Sequence, residues 1–180
     1  MRKRGSITEA AAFALVFGAA GVLGAAGAHA ADVEAQATAA MVNAKGDSVG
    51  TVALKQGAQG TVLHVRLTDL PPGTHAFHVH EVGACDPPDF KSAGDHYNPA
   101  DDAHGFFNED GYHAGDLPNI HVPESGILEV EFFSEALKLD DDLFDDDGAA
   151  LVIHTGEDDY RTDPAGAAGD RIACGVIQRG

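Results

Sequence analysis

The chain has 180 residues, 44% of them hydrophobic and 22% charged, with 11 Lys and Arg against 29 Asp and Glu and a formal charge of −18. That acidity weighs against nucleic acid and anionic membrane surfaces as partners. Aromatic and alternating aliphatic residues persist through the acidic stretches, so the charge belongs to a folded surface and not to a disordered chain.

The N-terminus carries Arg2, Lys3 and Arg4, then an apolar run ending in Ala28-His29-Ala30. This is the pattern of a secretory signal peptide. It assigns residues 1–30 to a leader and residues 31–180 to one mature domain, about 150 residues being enough for a single core. The alternative is a retained membrane anchor, which the interrupting glycines and the lack of a stop-transfer flank disfavour. No cysteine stands at the junction, so lipid attachment is not indicated there. Three of the 11 basic residues and one of the 29 acidic residues precede position 31, leaving 8 against 28 and a mature charge of −20. The expected location is periplasmic or secreted, with no membrane contact once the leader is removed. Such a compartment permits Cys85 and Cys174 to pair, and closing a loop of that length contributes about 4 to 5 kcal/mol in the chain-entropy treatment.

From Ala35 to Val82, short runs of alternating apolar and polar residues are broken by Gly46-Asp47, by Gly57 to Gly60 and by Pro71-Pro72-Gly73. These read as strands and turns. In the run Thr61 to Leu67, Leu63, Val65 and Leu67 belong to a core face, while His64 and Arg66 belong to a wet one. Further strands are expected at Ile120–Val122, Ile127–Phe133, Ala149–His154 and Ile172–Gln178, and no long helical period emerges. The predicted fold is all-β, a Greek-key sandwich or barrel of about eight antiparallel strands. Residues 83–112 and 155–170 break the strand rhythm and are rich in Gly, Pro, Asp and Asn. Loops that long are functional or disordered, and the histidines and cysteines bordering them point to loops that are tied down. The Asp140–Asp142 and Asp145–Asp147 runs read as a solvated loop, or else as a flank that repels anions.

Nine of the 10 histidines follow position 30, and six of them form a pattern. His78 and His80 alternate with Phe77 and Val79, so on a strand both imidazoles project from one face. The first long loop supplies His96, His104 and His113, followed by Asp116. Three imidazoles and a carboxylate make a closed four-ligand set suited to zinc. His154 ends a strand and begins the second loop. Imidazole-rich sites suit copper or zinc and disfavour calcium or magnesium. Two ions sharing one ligand would use all six histidines. His75, His64 and His121 have no ligand partner spaced for them; His75 reads as a scaffold residue and the other two as surface residues.

The segments Phe77-His78-Val79-His80-Glu81, Ser92-Ala93-Gly94-Asp95-His96-Tyr97-Asn98-Pro99, His113 to Asn119 and Gly169 to Ile177 resemble the copper/zinc superoxide dismutases. The resemblance runs from about Gly73 onward, in order and with both cysteines. It implies copper at His78, His80, His96 and His154, zinc at His96, His104, His113 and Asp116, and His96 as a bridging imidazolate. It also implies that Asp158 accepts hydrogen bonds from His78 and His104, with Asp159 and Glu157 as competitors if the loop register differs. Cys85 and Cys174 match the family's disulfide, which would fasten the first loop beside Arg171. The substrate implied is the superoxide anion, oriented by Arg171, with His96 protonated in one half of the cycle and deprotonated in the other. The alternative for Arg171 is a surface ion pair with Asp170.

Departures from the family pattern are Gly105-Phe106-Phe107 after His104, Asp95 before His96, and a short 155–170 loop without a run of charged steering residues. A homodimer is compatible with the resemblance, as is a monomer. Two other readings compete: a non-enzymatic copper- or zinc-binding module, which would have lost a ligand or the arginine, and a purely structural β-sandwich, which would need neither.

Overall fold

The computed structural model describes residues 36–180; the leader assigned to residues 1–30 lies outside them. Nine strands follow in chain order: β1 Ala37–Asn43, β2 Ser48–Gln56, β3 Thr61–Leu67, β4 Gly73–His75, β5 Phe77–His80, β6 Ile120–Val122, β7 Leu128–Ser134, β8 Ala150–His154 and β9 Arg171–Arg179. One short 3-10 turn at Lys91–Ala93 is the single helical element among the described residues. The extra strand over the eight expected is β4, which pairs only with β6 and is too short to show a period.

Seven strands form one antiparallel sheet in the order β5-β8-β9-β1-β2-β3-β7. The hairpins β1-β2 and β2-β3 close at the turns marked by Gly46 and by Gly57 to Gly60, and β9 returns from the far end of the chain to lie beside β1. The order β9-β1-β2-β3 is the Greek-key arrangement. Period-two alternation drives this folding: Ala37, Ala39 and Met41 of β1 and Leu63, Val65 and Leu67 of β3 are fully buried, while Arg66 is exposed. Each such Leu or Val contributes roughly 1.5–3 kcal/mol relative to an exposed side chain.

β5 and β8 depart from alternation, for every residue in both is buried. Their inward side chains, Phe77, Val79, Leu151 and Ile153, join the main core. Ala150 and Val152 on the other face of β8 pack with Phe90, Ala93 and Cys174. The first long loop therefore lies as a lid over one side of the sheet, and the histidine face of β5 is roofed by loop and not by water.

Candidate metal centre

The site forms where the histidine face of β5 meets the end of β8 and the two long loops. Pairing of Phe77 with Ile153 and of His80 with Ala150 fixes the backbone around His78, His80 and His154. Two isolated bridges extend that order into the first loop, His80 with His96 and His78 with Asp116. His104 is anchored separately, its backbone N–H donating to Asp163 Oδ1 at 2.7 Å. His113 is held by a local turn, its N–H donating to Asp116 Oδ2 at 3.2 Å while the Asp116 N–H returns to His113 O at 3.0 Å. All six histidines, Asp116 and Asp158 are buried.

Four of the imidazoles donate one ring N–H to a group that can only accept. His80 Nδ1 donates to Gly94 O at 2.9 Å and His154 Nδ1 to Gly169 O at 3.2 Å. His78 Nε2 and His104 Nε2 donate to the two oxygens of Asp158, at 2.7 and 3.0 Å. On the neutral ring the proton must sit on the nitrogen facing the acceptor, so a lone pair is left on the opposite nitrogen. Those opposite nitrogens, His80 Nε2, His154 Nε2, His78 Nδ1 and His104 Nδ1, together with His96 Nε2, are buried without a hydrogen-bond partner. Each such atom costs about 1–3 kcal/mol, and five of them in one pocket call for cations.

The donors fall into two sets, His78, His80, His96 and His154, and His96, His104, His113 and Asp116, each with ligand atoms within 4.8 Å of one another. His96 belongs to both. In the second set the Nδ1 atoms of His96, His104 and His113 lie 3.0, 3.1 and 3.3 Å from Asp116 Oδ1, and those of His113 and His96 are 3.3 Å apart. A tetrahedron of ligands about 2.0–2.1 Å from a central ion has edges of about 3.3–3.4 Å, so this set fits zinc. The first set offers imidazole nitrogens alone, which suits copper.

Burial sets the protonation of the first set. It lowers His78 and takes His80 well below its usual value, and it holds His96 at about 4 and His154 at about 3. These rings keep their lone pairs at neutral pH. His104 behaves oppositely: burial pulls it down, but the Asp116 carboxylate 3.1 Å from Nδ1 and the bond to Asp158 push it up to about 9, so this ring must lose a proton before Nδ1 can hold a cation. Burial would raise both acids, yet the donating histidines hold Asp116 and Asp158 well below the usual carboxylate range.

The neighbouring residues divide clearly. Asp158 accepts from both rings, whereas Asp159 is exposed and accepts from the backbone of Arg161 and Thr162, and Glu157 is exposed. His75 is buried with Nδ1 2.8 Å from His154 O and Nε2 2.9 Å from Pro71 O, a brace beneath the end of β8. His64 lies 3.2 Å from Glu129, and His121 is exposed. Arg171 does not pair with Asp170: its Nη1 donates to Phe90 O at 2.8 Å and its Nη2 to Gly94 O at 2.7 Å. Gly94 O thus holds both Arg171 and His80. A Cys85–Cys174 disulfide, with Cα atoms 5.6 Å apart, ties the same loop to β9. Arg171 lines a cavity with Asp89, Lys91, Thr155, Gly169 and Asp170.

Sequence reasoning did not single out Asn119, Tyr160 or the carbonyls of Phe90, Gly94 and Gly169. Asn119 closes a motif read for its histidine, and backbone carbonyls carry no signature in a sequence at all.

A Greek-key β-barrel carrying two buried donor sets that share an imidazole is a scaffold for a binuclear metal centre. Residues 48–177 match the family described as copper/zinc superoxide dismutase (SODC). The chain is 47% identical over 150 residues to superoxide dismutase [Cu-Zn] 1 of Aquifex aeolicus, covering 81% of this chain and 89% of that one. Among solved structures it resembles a SOD-like protein from Bacillus subtilis, with a TM-score of 0.74 and 39% identity over 77% of this chain and 96% of that one. The Cu/Zn superoxide dismutase from Brucella abortus gives a TM-score of 0.66 and 33% identity over 78% and 98%. The chain belongs to the copper/zinc superoxide dismutase family.

Proposed function

We propose that this chain is an exported superoxide dismutase in which His78, His80, His96 and His154 hold copper while His96, His104, His113 and Asp116 hold zinc. The observation that carries the assignment is the group of five buried ring nitrogens without partners, divided between two sets that share His96. Asp158 fixes the tautomer of one ring in each set, as carboxylates behind metal-bound histidines do. Copper, when bound, supplies a one-electron couple by which one superoxide is oxidised to dioxygen and a second, with two protons, is reduced to hydrogen peroxide, while zinc supplies fixed charge.

The residues then have separable tasks. Arg171, held by two carbonyls and free of any acid partner, presents a fixed cation to the incoming anion and orients it by a charge-assisted hydrogen bond. His96 Nε2 holds a proton in one half of the cycle and gives it up in the other. The roof formed by the first loop excludes water from the buried rings. Every residue assigned belongs to one chain, so a monomer suffices and a homodimer is compatible. Export through a 1–30 leader, with 31–180 as the mature domain in a periplasmic or secreted location, is supported by the N-terminal pattern and by a disulfide of the kind that persists in oxidising compartments.

The test is metal content by mass spectrometry on the mature protein, coupled to superoxide consumption before and after His96→Ala. One copper and one zinc per chain, with activity falling sharply in the variant, is the expected result. Zinc alone, with no superoxide consumed after copper is supplied, would leave a metal-binding module.

A further inference from the structure

The carboxylate that joins the two donor sets is itself held by residues outside both. Asp158 exchanges hydrogen bonds with Asn119, its N–H donating to Asn119 Oδ1 at 2.8 Å while Asn119 Nδ2 donates to Asp158 O at 2.9 Å. Tyr160 completes the frame from two directions. Its backbone N–H donates to Asp158 Oδ1 at 2.7 Å, the same oxygen that receives His104, and its hydroxyl accepts the Asn119 backbone N–H at 2.7 Å. The ring of Tyr160 lies against Phe106 and Phe107, with centroids 5.1 and 5.7 Å away, and its carbonyl accepts the Phe107 N–H at 3.2 Å. Phe106 and Phe107 directly follow His104 and Gly105, and a Cβ at position 105 would run into the Tyr160 backbone, so only glycine fits there.

Tyr160 keeps this place with φ 57, a left-handed conformation that bulky L-residues adopt only at a cost. Strain maintained by its surroundings at one residue beside a site points to a role there. Resting on the metal assignment above, we infer that Tyr160 is a positioning residue: with Asn119, Phe106 and Phe107 it latches the zinc-side loop to the 155–170 loop. The latch holds Asp158 between His78 and His104, and so sets zinc retention and the geometry of the copper set together.

The experiment uses the metal-loaded full mature protein and compares wild type with Tyr160→Ala, Tyr160→Phe, Asp158→Asn and the Asp158→Asn/Tyr160→Ala double variant. Zinc affinity is read by chelator competition, and the copper site by electron paramagnetic resonance. Tyr160→Ala is expected to weaken zinc by about tenfold, within the range seen when the groups behind metal ligands are removed, and to shift the copper spectrum through His78. Tyr160→Phe keeps the ring and removes only the acceptor of the Asn119 amide, so a smaller shift in the same direction is expected. In the Asp158→Asn background Tyr160→Ala should add nothing. Zinc affinity within about twofold of wild type and an unchanged copper spectrum in Tyr160→Ala would overturn the latch, as would losses that simply add in the double variant. Wild-type protein that takes up no zinc would overturn the metal assignment and the latch with it; wild type that binds zinc beside indifferent variants removes the latch alone.

Discussion

Removing the Cys85–Cys174 bond should produce two losses that can be measured apart. The cysteines are 89 residues apart in sequence, and tethering such a loop in the unfolded chain is worth about 4 to 5 kcal/mol in the chain-entropy treatment. For a domain of this size each kcal/mol moves the melting temperature by roughly 2–4 °C, so the metal-free Cys85→Ser/Cys174→Ser variant should melt about 10–20 °C lower. The second loss is local. The bond anchors the loop whose Phe90 and Gly94 carbonyls hold the Arg171 guanidinium, so the metal-loaded variant should turn over more slowly even well below its melting point. Phe90 is fully buried and keeps part of the loop docked, so that loss should be partial. Differential scanning calorimetry of metal-free protein measures the first effect, and superoxide consumption at low temperature measures the second. A melting shift under about 3 °C would refute the loop-entropy argument, and unchanged turnover at full metal loading would refute the link to Arg171.

Zinc binding at pH 8 should release about one proton per ion, because His104 titrates near 9 in the metal-free site and must shed its proton to offer Nδ1. The release should fade as pH rises through 9, which calorimetry in buffers of different ionisation enthalpy would detect; constant release up to pH 10 would contradict it. Gly166→Ala should weaken zinc by about tenfold, since φ is +62 there and a Cβ would overlap Asp158 Oδ1 and come within 2.8 Å of His104 Nε2; wild-type zinc affinity by chelator competition would count against this packing. Arg171→Gln should lower kcat/KM by about tenfold or more, the worth of one charged hydrogen bond, with copper and zinc content unchanged. Raising ionic strength from about 0.01 to 0.15 M shortens screening from about 30 to 8 Å and should lower kcat/KM if the proposed attraction of the anion by Arg171 dominates; Lys91 is paired with Asp89 at 3.0 Å and adds little. Low-dielectric walls focus such fields, superoxide dismutases being a standing example. A rate that rises with salt would mean that repulsion by the chain's net negative charge prevails.

The strands were legible because each carries its period: Leu63, Val65 and Leu67 face inward as their spacing requires. β5 and β8 were legible as strands but not as doubly buried ones, since the second cover of β8 comes from Phe90 and Ala93 and that of β5 from His96, Asp116 and Asp158, all in loops with no period of their own. The histidines were visible through residue type alone, and Asp116 through its distance from His113. Asp158 could not be separated from Asp159 and Glu157 by spacing, because a one-residue change in loop register exchanges them; only the closed frame with Asn119 and Tyr160 selects it. Tyr160 gave no warning, being one aromatic residue in a polar loop whose partners lie 41 and about 54 positions earlier.

The position of the long loops follows from a constraint that applies to any buried backbone. A loop laid over a sheet carries carbonyls that water no longer reaches, and each needs a donor. Here the donors are the site residues themselves. The carbonyl of fully buried Phe90 is satisfied by Arg171 and that of half-buried Gly94 by His80 and Arg171, while His154 donates to the carbonyl of Gly169 at the exposed end of the second loop. The bonds that let the loops pack are therefore the bonds that fix the tautomers of His80 and His154 and aim the guanidinium. Removing His80 or Arg171 deprives a buried carbonyl of a donor as well as removing a ligand or a cation, so folding and site geometry are coupled through shared hydrogen bonds. In the set of four imidazoles, three rings stand on β5 and β8; loop carbonyls orient His80 and His154, and the Asp158 carboxylate orients His78, so the sheet fixes where these rings start and the loops fix where their lone pairs point.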